Sequence, residues 1–335
     1  MWTPSGVGPG FVDLQVNGAL GIDFAGPDLT DTAARRAIAH VLGNGTAAFL
    51  PTLVSAPPDV YRRNLAILGQ LVRDPALEGR VAGIHLEGPF IAPDGRVLGA
   101  HRREHVLRAD VAMLENLQDW AGGAVRLLTI AAEIDGAADL TAAARRLGMV
   151  VSVGHSWATA NDLARVRDAG ATALTHFGNG IAQTLPRHDN PLVAGLATDG
   201  LAYMMILDGH HVTRDLVRAV MRAAGPGSII LTSDAAPVAG LAPGLHRVFE
   251  QDVEVAPDGR IWNPLEQHLA GSAARLLDCV NQALEWGLFD RPTVLRAAFD
   301  APLALAGLVV GPWAETARVA HDAARGRFAL MRNRA

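Results

Sequence analysis

From about residue 10 to about residue 300, short runs of β-branched and other apolar residues alternate with Ala-, Leu- and Arg-rich stretches of helical periodicity. No other feature narrows the choice of folds as much. The apolar runs fall at 10–16, 47–53, 80–86, 125–132, 149–153, 171–176, 202–207 and 228–233. The helical stretches between them include 31–42, 58–72, 109–120, 137–147, 158–169 and 213–224. Strands alternating with helices form βαβ units on a parallel sheet. Eight of them fit a closed barrel better than an open sheet. The expected fold is therefore a single (β/α)8 barrel domain over residues 1–335, with its core at about 9–308. Residues 243–264 read as a hairpin inserted after the eighth strand, and two helical stretches follow between 269 and 308. The tail from 309 is weakly patterned.

A chain of 335 residues, half of them hydrophobic, has ample material for a large core. Its net charge of −5 leaves no basic field for nucleic acid. No apolar run reaches the roughly 20 residues of a membrane helix, and no signal peptide is read at the start. Cys279 is the only cysteine, so neither an intrachain disulfide nor a cysteine zinc cluster can form. A cytoplasmic location fits this. Neither a Gly-x-Gly-x-x-Gly turn after the first strand nor a phosphate-binding Gly-x-x-x-x-Gly-Lys loop is present, so a nucleotide-binding reading lacks its chemistry.

Polar residues interrupt the apolar strands at their C-terminal ends. His85-Leu86-Glu87-Gly88-Pro89, Gly154-His155-Ser156, Thr175-His176 and Ser233-Asp234 each close a strand, and Gln15-Val16-Asn17-Gly18 closes the first. Barrel enzymes carry their sites at this end, so Glu87, His155, His176 and Asp234 converge there. Two imidazoles and a carboxylate form a three-ligand set for a catalytic divalent metal, with Zn²⁺ preferred and Fe²⁺, Mn²⁺ or Co²⁺ also suited. Asp234 then suits the acid/base. His85, two residues before Glu87, reads as a supporting side chain. His105, His246 and His268 read as surface or loop histidines.

With Gly10-Phe11-Val12-Asp13-Leu14-Gln15-Val16-Asn17-Gly18, Gly99-Ala100-His101, Asp208-Gly209-His210-His211-Val212 and Leu269-Ala270-Gly271-Ser272 added in order, the chain resembles the N-acetylglucosamine-6-phosphate deacetylase branch of the amidohydrolase superfamily. The likeness runs from about Pro9 to Leu308. It implies amide hydrolysis of an N-acetyl amino sugar in a homodimer, with Glu87, His155 and His176 as ligands and Asp234 as acid/base. It further implies His101 at the acetyl carbonyl, His211 near the sugar or its phosphate, and Asn179-Gly180 at the ligand through their amides. Many amidohydrolases hold two metals through an initial His-x-His and a carboxylated lysine. Here Gln15-Val16-Asn17 stands at the first position and the chain has no lysine, so one metal is expected. Gln15 and Asn17 are expected to support the neighbouring loops.

Two regions depart from the pattern. Where the branch places a phosphate-binding arginine, this chain reads Arg187-His188-Asp189-Asn190-Pro191, with Asp189 at the arginine position when Pro191 is aligned. Arg187 and His188 are the remaining anion candidates, and a non-phosphorylated or different acyl amide is the alternative substrate. A non-catalytic sugar-binding protein is a further alternative. Only ten residues precede Phe11, so the accessory β-sandwich of the family is expected to be reduced or absent.

Overall fold

The computed structural model describes residues 1–265, 268–314 and 318–331. Its centre is a parallel eight-stranded sheet. The strands are β1 (Phe11–Val16), β2 (Thr46–Leu53), β3 (Ile84–Glu87), β4 (Val125–Ile130), β5 (Val150–Val153), β6 (Ala171–Leu174), β7 (Ala202–Met205) and β8 (Ile229–Leu231), each beside the next in chain order. All expected strands form; four of them, β4, β6, β7 and β8, end two residues early, where the backbone turns into the site. Helices α1 (Asp31–Gly43), α2 (Pro58–Val72), α3 (Val111–Trp120), α4 (Ala137–Arg146), α5 (Ala160–Asp168), α6 (Pro191–Leu196), α7 (Arg214–Ala224) and α8 (Leu276–Glu285) cover the strands. Side-chain caps start several of them: Thr30, Asp110, Thr159 and Thr213 each accept a first-turn amide. Together these elements form the (β/α)8 barrel.

Strand alternation divides the apolar residues into two layers. Val12, Leu14, Ala48, Leu50, Ala82, Leu127, Val150, Ala173, Met204 and Ile230 fill the barrel, with Phe299 and Leu303 below them. Alternate residues such as Phe11, Phe49, Leu128 and Val151 pack outward against the helices. In β1 the pairing with β2 shifts between Asp13 and Val16. Such a bulge resets the inward face, so Gln15 and Asn17 both serve the mouth.

The seam between β8 and β1 is closed by backbone pairing just beyond the strands and by the Asp13 side chain. Asn17 N reaches Ala235 O at 2.8 Å. Buried Asp13 accepts from Thr232 Oγ1 at 2.7 Å and from Ser233 N at 3.2 Å through Oδ1. Burial pushes this carboxyl up, and the hydrogen bonds from Ser233, Thr232 and Gln15 oppose the rise. Asp13→Ala leaves those donors unpaired inside the barrel wall, at a cost of about 3 kcal/mol. Asp13→Asn keeps an acceptor and is expected to lose less; urea denaturation of both variants checks the difference.

Two additions flank the barrel. After β8, strands β9 (Gly244–Val248), β10 (Gln251–Val255), β11 (Ile261–Asn263) and β12 (His268–Leu269) form an antiparallel sheet, larger than the expected hairpin. Among the described residues of the tail, two strands form that its pattern does not predict. β13 (Val319–Asp322) pairs with β14 (Arg327–Leu330) and with a short strand at Val7–Gly8. Together they make a three-stranded antiparallel sheet. Trp2 fastens it to the barrel, its ring 5.4 Å from Phe11 and 5.5 Å from Phe328. Among the described residues no helix is long and apolar enough to cross a membrane.

Candidate active site

The C-terminal ends of the strands open into a cavity of about 590 Å³, lined among others by Asn17, Glu87, His101, His155, His176, Asn179, Gly180, His211 and Asp234. This size suits a small-molecule ligand. His155 and His176 lie two residues beyond the ends of β5 and β6, Asp234 lies three beyond β8, and their φ values are 50°, 30° and 48°. Left-handed backbone is costly for residues with a Cβ, and where it occurs it clusters at functional sites. Here it turns three side chains out of the strand direction and into the mouth.

Glu87 Oε1 lies 3.0 Å from His155 Nε2 and 2.8 Å from His176 Nε2, and the two imidazole nitrogens are 3.1 Å apart. His155 Nδ1 is 2.7 Å from the carbonyl oxygen of Val97. A carbonyl only accepts, so Nδ1 carries the proton and Nε2 of the neutral ring presents a lone pair. His155 Nε2 and Glu87 Oε1, both electron-rich, therefore face one another at 3.0 Å in a buried place. A cation among them resolves that conflict, and the donor set is one that divalent metals take. Burial pushes Glu87 up, but the two imidazoles hold it well below the usual carboxylate range. Burial lowers His176, and Glu87 overcomes this and raises it.

Both expected supports touch the site's carboxylates. Gln15 Nε2 donates to Glu87 Oε1 at 2.9 Å. Asn17 Nδ2 donates to Asp234 Oδ1 at 2.7 Å. Burial pushes Asp234 up to about 7, the Glu87 charge adds to the rise, and His176, His211 and the Asn17 amide oppose it. A divalent cation in the cluster opposes the rise further. His85 lies deeper in the barrel, between Thr52 and Thr129 at 3.3 and 2.8 Å, and burial lowers it to about 4.

His101 is held by Ser55, which lies just beyond β2. The Ser55 amide donates to His101 Nδ1 at 3.2 Å, and Ser55 Oγ lies 2.9 Å from the same atom. Nδ1 is thus the acceptor, and Nε2 carries the hydrogen. That Nε2 is buried, has no hydrogen-bond partner among the described residues, and lies 3.9 Å from Glu87 Oε2. Burial, with the neighbouring His155, lowers the ring to about 3 and keeps it neutral. It is an unspent N–H donor beside the cluster.

Asn179 and Gly180 follow His176 at the cavity wall. Gly180 has φ +64°, and a Cβ there would lie 3.0 Å from His176 Cε1 and 3.1 Å from His155 Nδ1. Only a glycine lets the backbone pass so close to both rings. Arg187 and His188 are exposed and are not among the cavity-lining residues. His268, expected in a loop, lines the cavity from β12 together with Phe249 and Leu269.

His211 has a partner, Asp208, to which the sequence motif assigns no role. Asp208 Oδ2 is 2.8 Å from His211 Nδ1, and its Oδ1 accepts the His210 and His211 amides at 2.9 Å each. Burial pushes the Asp208 carboxyl up, but His211 and the two amides hold it at about 2. Because this lies below the unfolded value of about 3.8, the contribution is fully present above about pH 4. It is lost as the pH falls towards about 2. Urea midpoints across that window are expected to fall less steeply for Asp208→Asn than for the parent.

A parallel (β/α)8 barrel with this carboxylate–imidazole cluster at its mouth and a carboxyl group opposite has the architecture of the amidohydrolase superfamily. No protein-family model matches the chain. It is 35% identical over 316 residues to human N-acetylglucosamine-6-phosphate deacetylase, covering 90% of this chain and 74% of that protein. It is 29% identical over 280 residues to N-acetylgalactosamine-6-phosphate deacetylase of Escherichia coli O157:H7, covering 83% and 72%. A point mutant of N-acetyl-D-glucosamine-6-phosphate deacetylase from Mycobacterium smegmatis, solved with N-acetyl-D-glucosamine-6-phosphate, superposes with a TM-score of 0.85 at 31% identity, covering 97% of this chain and 85% of that one. The chain belongs to the N-acetylglucosamine-6-phosphate deacetylase family.

Proposed function

We propose that the chain hydrolyses the acetamide of N-acetylglucosamine-6-phosphate or a closely related N-acetylhexosamine phosphate, giving acetate and the free amine. The observation that carries this reading is the pairing of a buried Glu87–His155–His176 cluster with Asp234 at one barrel mouth. Family membership supplies the substrate class. Glu87, His155 and His176 would hold one divalent metal, in this reading Zn²⁺, with Fe²⁺, Mn²⁺ and Co²⁺ as the other candidates. When bound, such a metal supplies Lewis acidity towards the attacking water and the amide carbonyl.

The protein's own groups perform the rest. Asp234, held by Asn17, takes a proton from the attacking water and delivers it to the nitrogen as the C–N bond breaks. His101 donates from Nε2 to the carbonyl oxygen as negative charge develops there. Asn179, Gly180 and His211 line the space for the sugar. Arg187 and His188, exposed in this protomer, remain candidates for an anion contact between subunits of a homodimer. The reading takes residues 1–335 as one hydrolase domain acting in the cytoplasm.

Asp189, in the segment aligned with the family's arginine, favours a second reading in which the same chemistry serves a non-phosphorylated acyl amide. Acetate release from acetylated hexosamines with and without a 6-phosphate, measured on metal-loaded protein, separates the two. The first reading expects kcat/KM to favour the phosphate by at least about tenfold, or about 1.4 kcal/mol. Equal values favour the second, and acetate from neither overturns the deacetylase reading.

A further inference from the structure

We infer that Arg96 is the cation that engages the phosphate of the substrate; this rests on the phosphosugar reading above. The floor of the cavity carries two carboxylates, Glu87 and Asp234, within a chain of net charge −5. A phosphorylated ligand entering there needs a positive charge at the wall. All the chain's strong cations are arginines, and among the described residues Arg96 alone of them lines the cavity.

Arg96 is also prepared for the task. Its Nε lies 3.1 and 3.0 Å from the two Asp94 carboxylate oxygens, and its Nη2 lies 2.6 Å from Asp94 Oδ2. The guanidinium carbon sits 4.1 Å from the centroid of the Trp157 ring. One edge is thus bound and one face stacked. Nη1 makes no hydrogen bond among the described residues and remains a free donor edge. The side chain is about half exposed, at 54%. A surface ion pair of this kind binds its cation weakly, so Asp94 orients the guanidinium and leaves it open to a phosphate oxygen.

The supports of Arg96 are tied to the cluster. The next residue, Val97, accepts from His155 Nδ1 at 2.7 Å, and its amide donates to Asp94 O at 3.0 Å. Trp157, two residues beyond His155, donates its amide to Glu133 Oε1 at 2.6 Å. Trp157 and Ile181 both pack on the small cluster containing Val97. The guanidinium therefore stands on the side of the mouth formed by Asn179, Gly180 and Ile181, at a position fixed relative to His155. The bland alternative, a guanidinium that merely covers Trp157, predicts no selectivity between substrates.

The test is Arg96→Gln in metal-loaded protein, with N-acetylglucosamine-6-phosphate and unphosphorylated N-acetylglucosamine compared. KM for the phosphorylated sugar is expected to rise about 10- to 100-fold, with kcat held within about threefold. The kcat/KM for the unphosphorylated sugar is expected to stay within about threefold, and Arg96→Lys to recover part of the loss. An unchanged KM, or equal losses on both sugars, overturns the assignment. If the parent protein releases acetate from neither sugar, the functional reading fails, and calorimetric titration with glucosamine-6-phosphate judges Arg96 by itself. At least about tenfold weaker binding by the variant supports the contact; equal or absent binding in both proteins overturns it.

Discussion

Replacing Asp234 with Asn is expected to lower kcat on N-acetylglucosamine-6-phosphate by about a thousandfold or more, with KM within about threefold. Asn keeps the oxygen that accepts from Asn17 Nδ2 at 2.7 Å, so the local packing survives. The variant lacks a group that can take a proton from water and return it to nitrogen. His101 and the cluster are untouched, so binding persists while turnover fails. Steady-state kinetics check this, with the circular dichroism of the variant as the control for folding. A kcat within tenfold of the parent would remove Asp234 from the proton path.

The second large effect is expected from His155→Ala. This change removes one of three donor atoms and frees the Val97 carbonyl from its 2.7 Å partner. Metal affinity is expected to fall by at least about a hundredfold, since outer partners alone are worth 10- to 100-fold and a direct ligand more. Acetate release is expected to drop below about one thousandth of the parent rate. Elemental analysis after gel filtration, alongside the rate, checks both. Full metal content with full activity would assign the binding elsewhere.

The strand ends make much of this site legible in the sequence. His155, His176 and Asp234 each follow an apolar run, and one fold class gathers such ends at one mouth. The same logic places Gln15 and Asn17 nearby, but does not show that each grips a carboxylate. That depends on the bulge between Asp13 and Val16, which has no sequence signature of its own. The left-handed turns at His155, His176 and Asp234 are equally hidden, because such conformations usually announce themselves through glycine. The Val97 carbonyl and the Ser55 amide fix the tautomers of His155 and His101, yet as backbone groups they leave no trace in residue identity.

Other features escape because local pattern and tertiary role diverge. In sequence Asp13 is one polar residue within an apolar strand, whereas in the fold it helps close the barrel seam. The tail strands Val319–Asp322 and Arg327–Leu330 are four residues each and lack alternation strong enough to read. The first pairs with Val7–Gly8, and the second pairs with the first and packs Phe328 against Trp2 and Phe11. The inserted sheet has the local pattern of a hairpin, and its contribution of Phe249, His268 and Leu269 to the cavity depends on a long-range approach to the mouth.

In the proposed mechanism one divalent metal, held by Glu87, His155 and His176, is required for deacetylation. The most direct test is a titration of metal-stripped protein with Zn²⁺, following acetate release from N-acetylglucosamine-6-phosphate. Negligible activity is expected without metal, with a linear rise that levels at about one equivalent per chain. Full activity in the stripped protein, or a rise that continues to two equivalents, would contradict it.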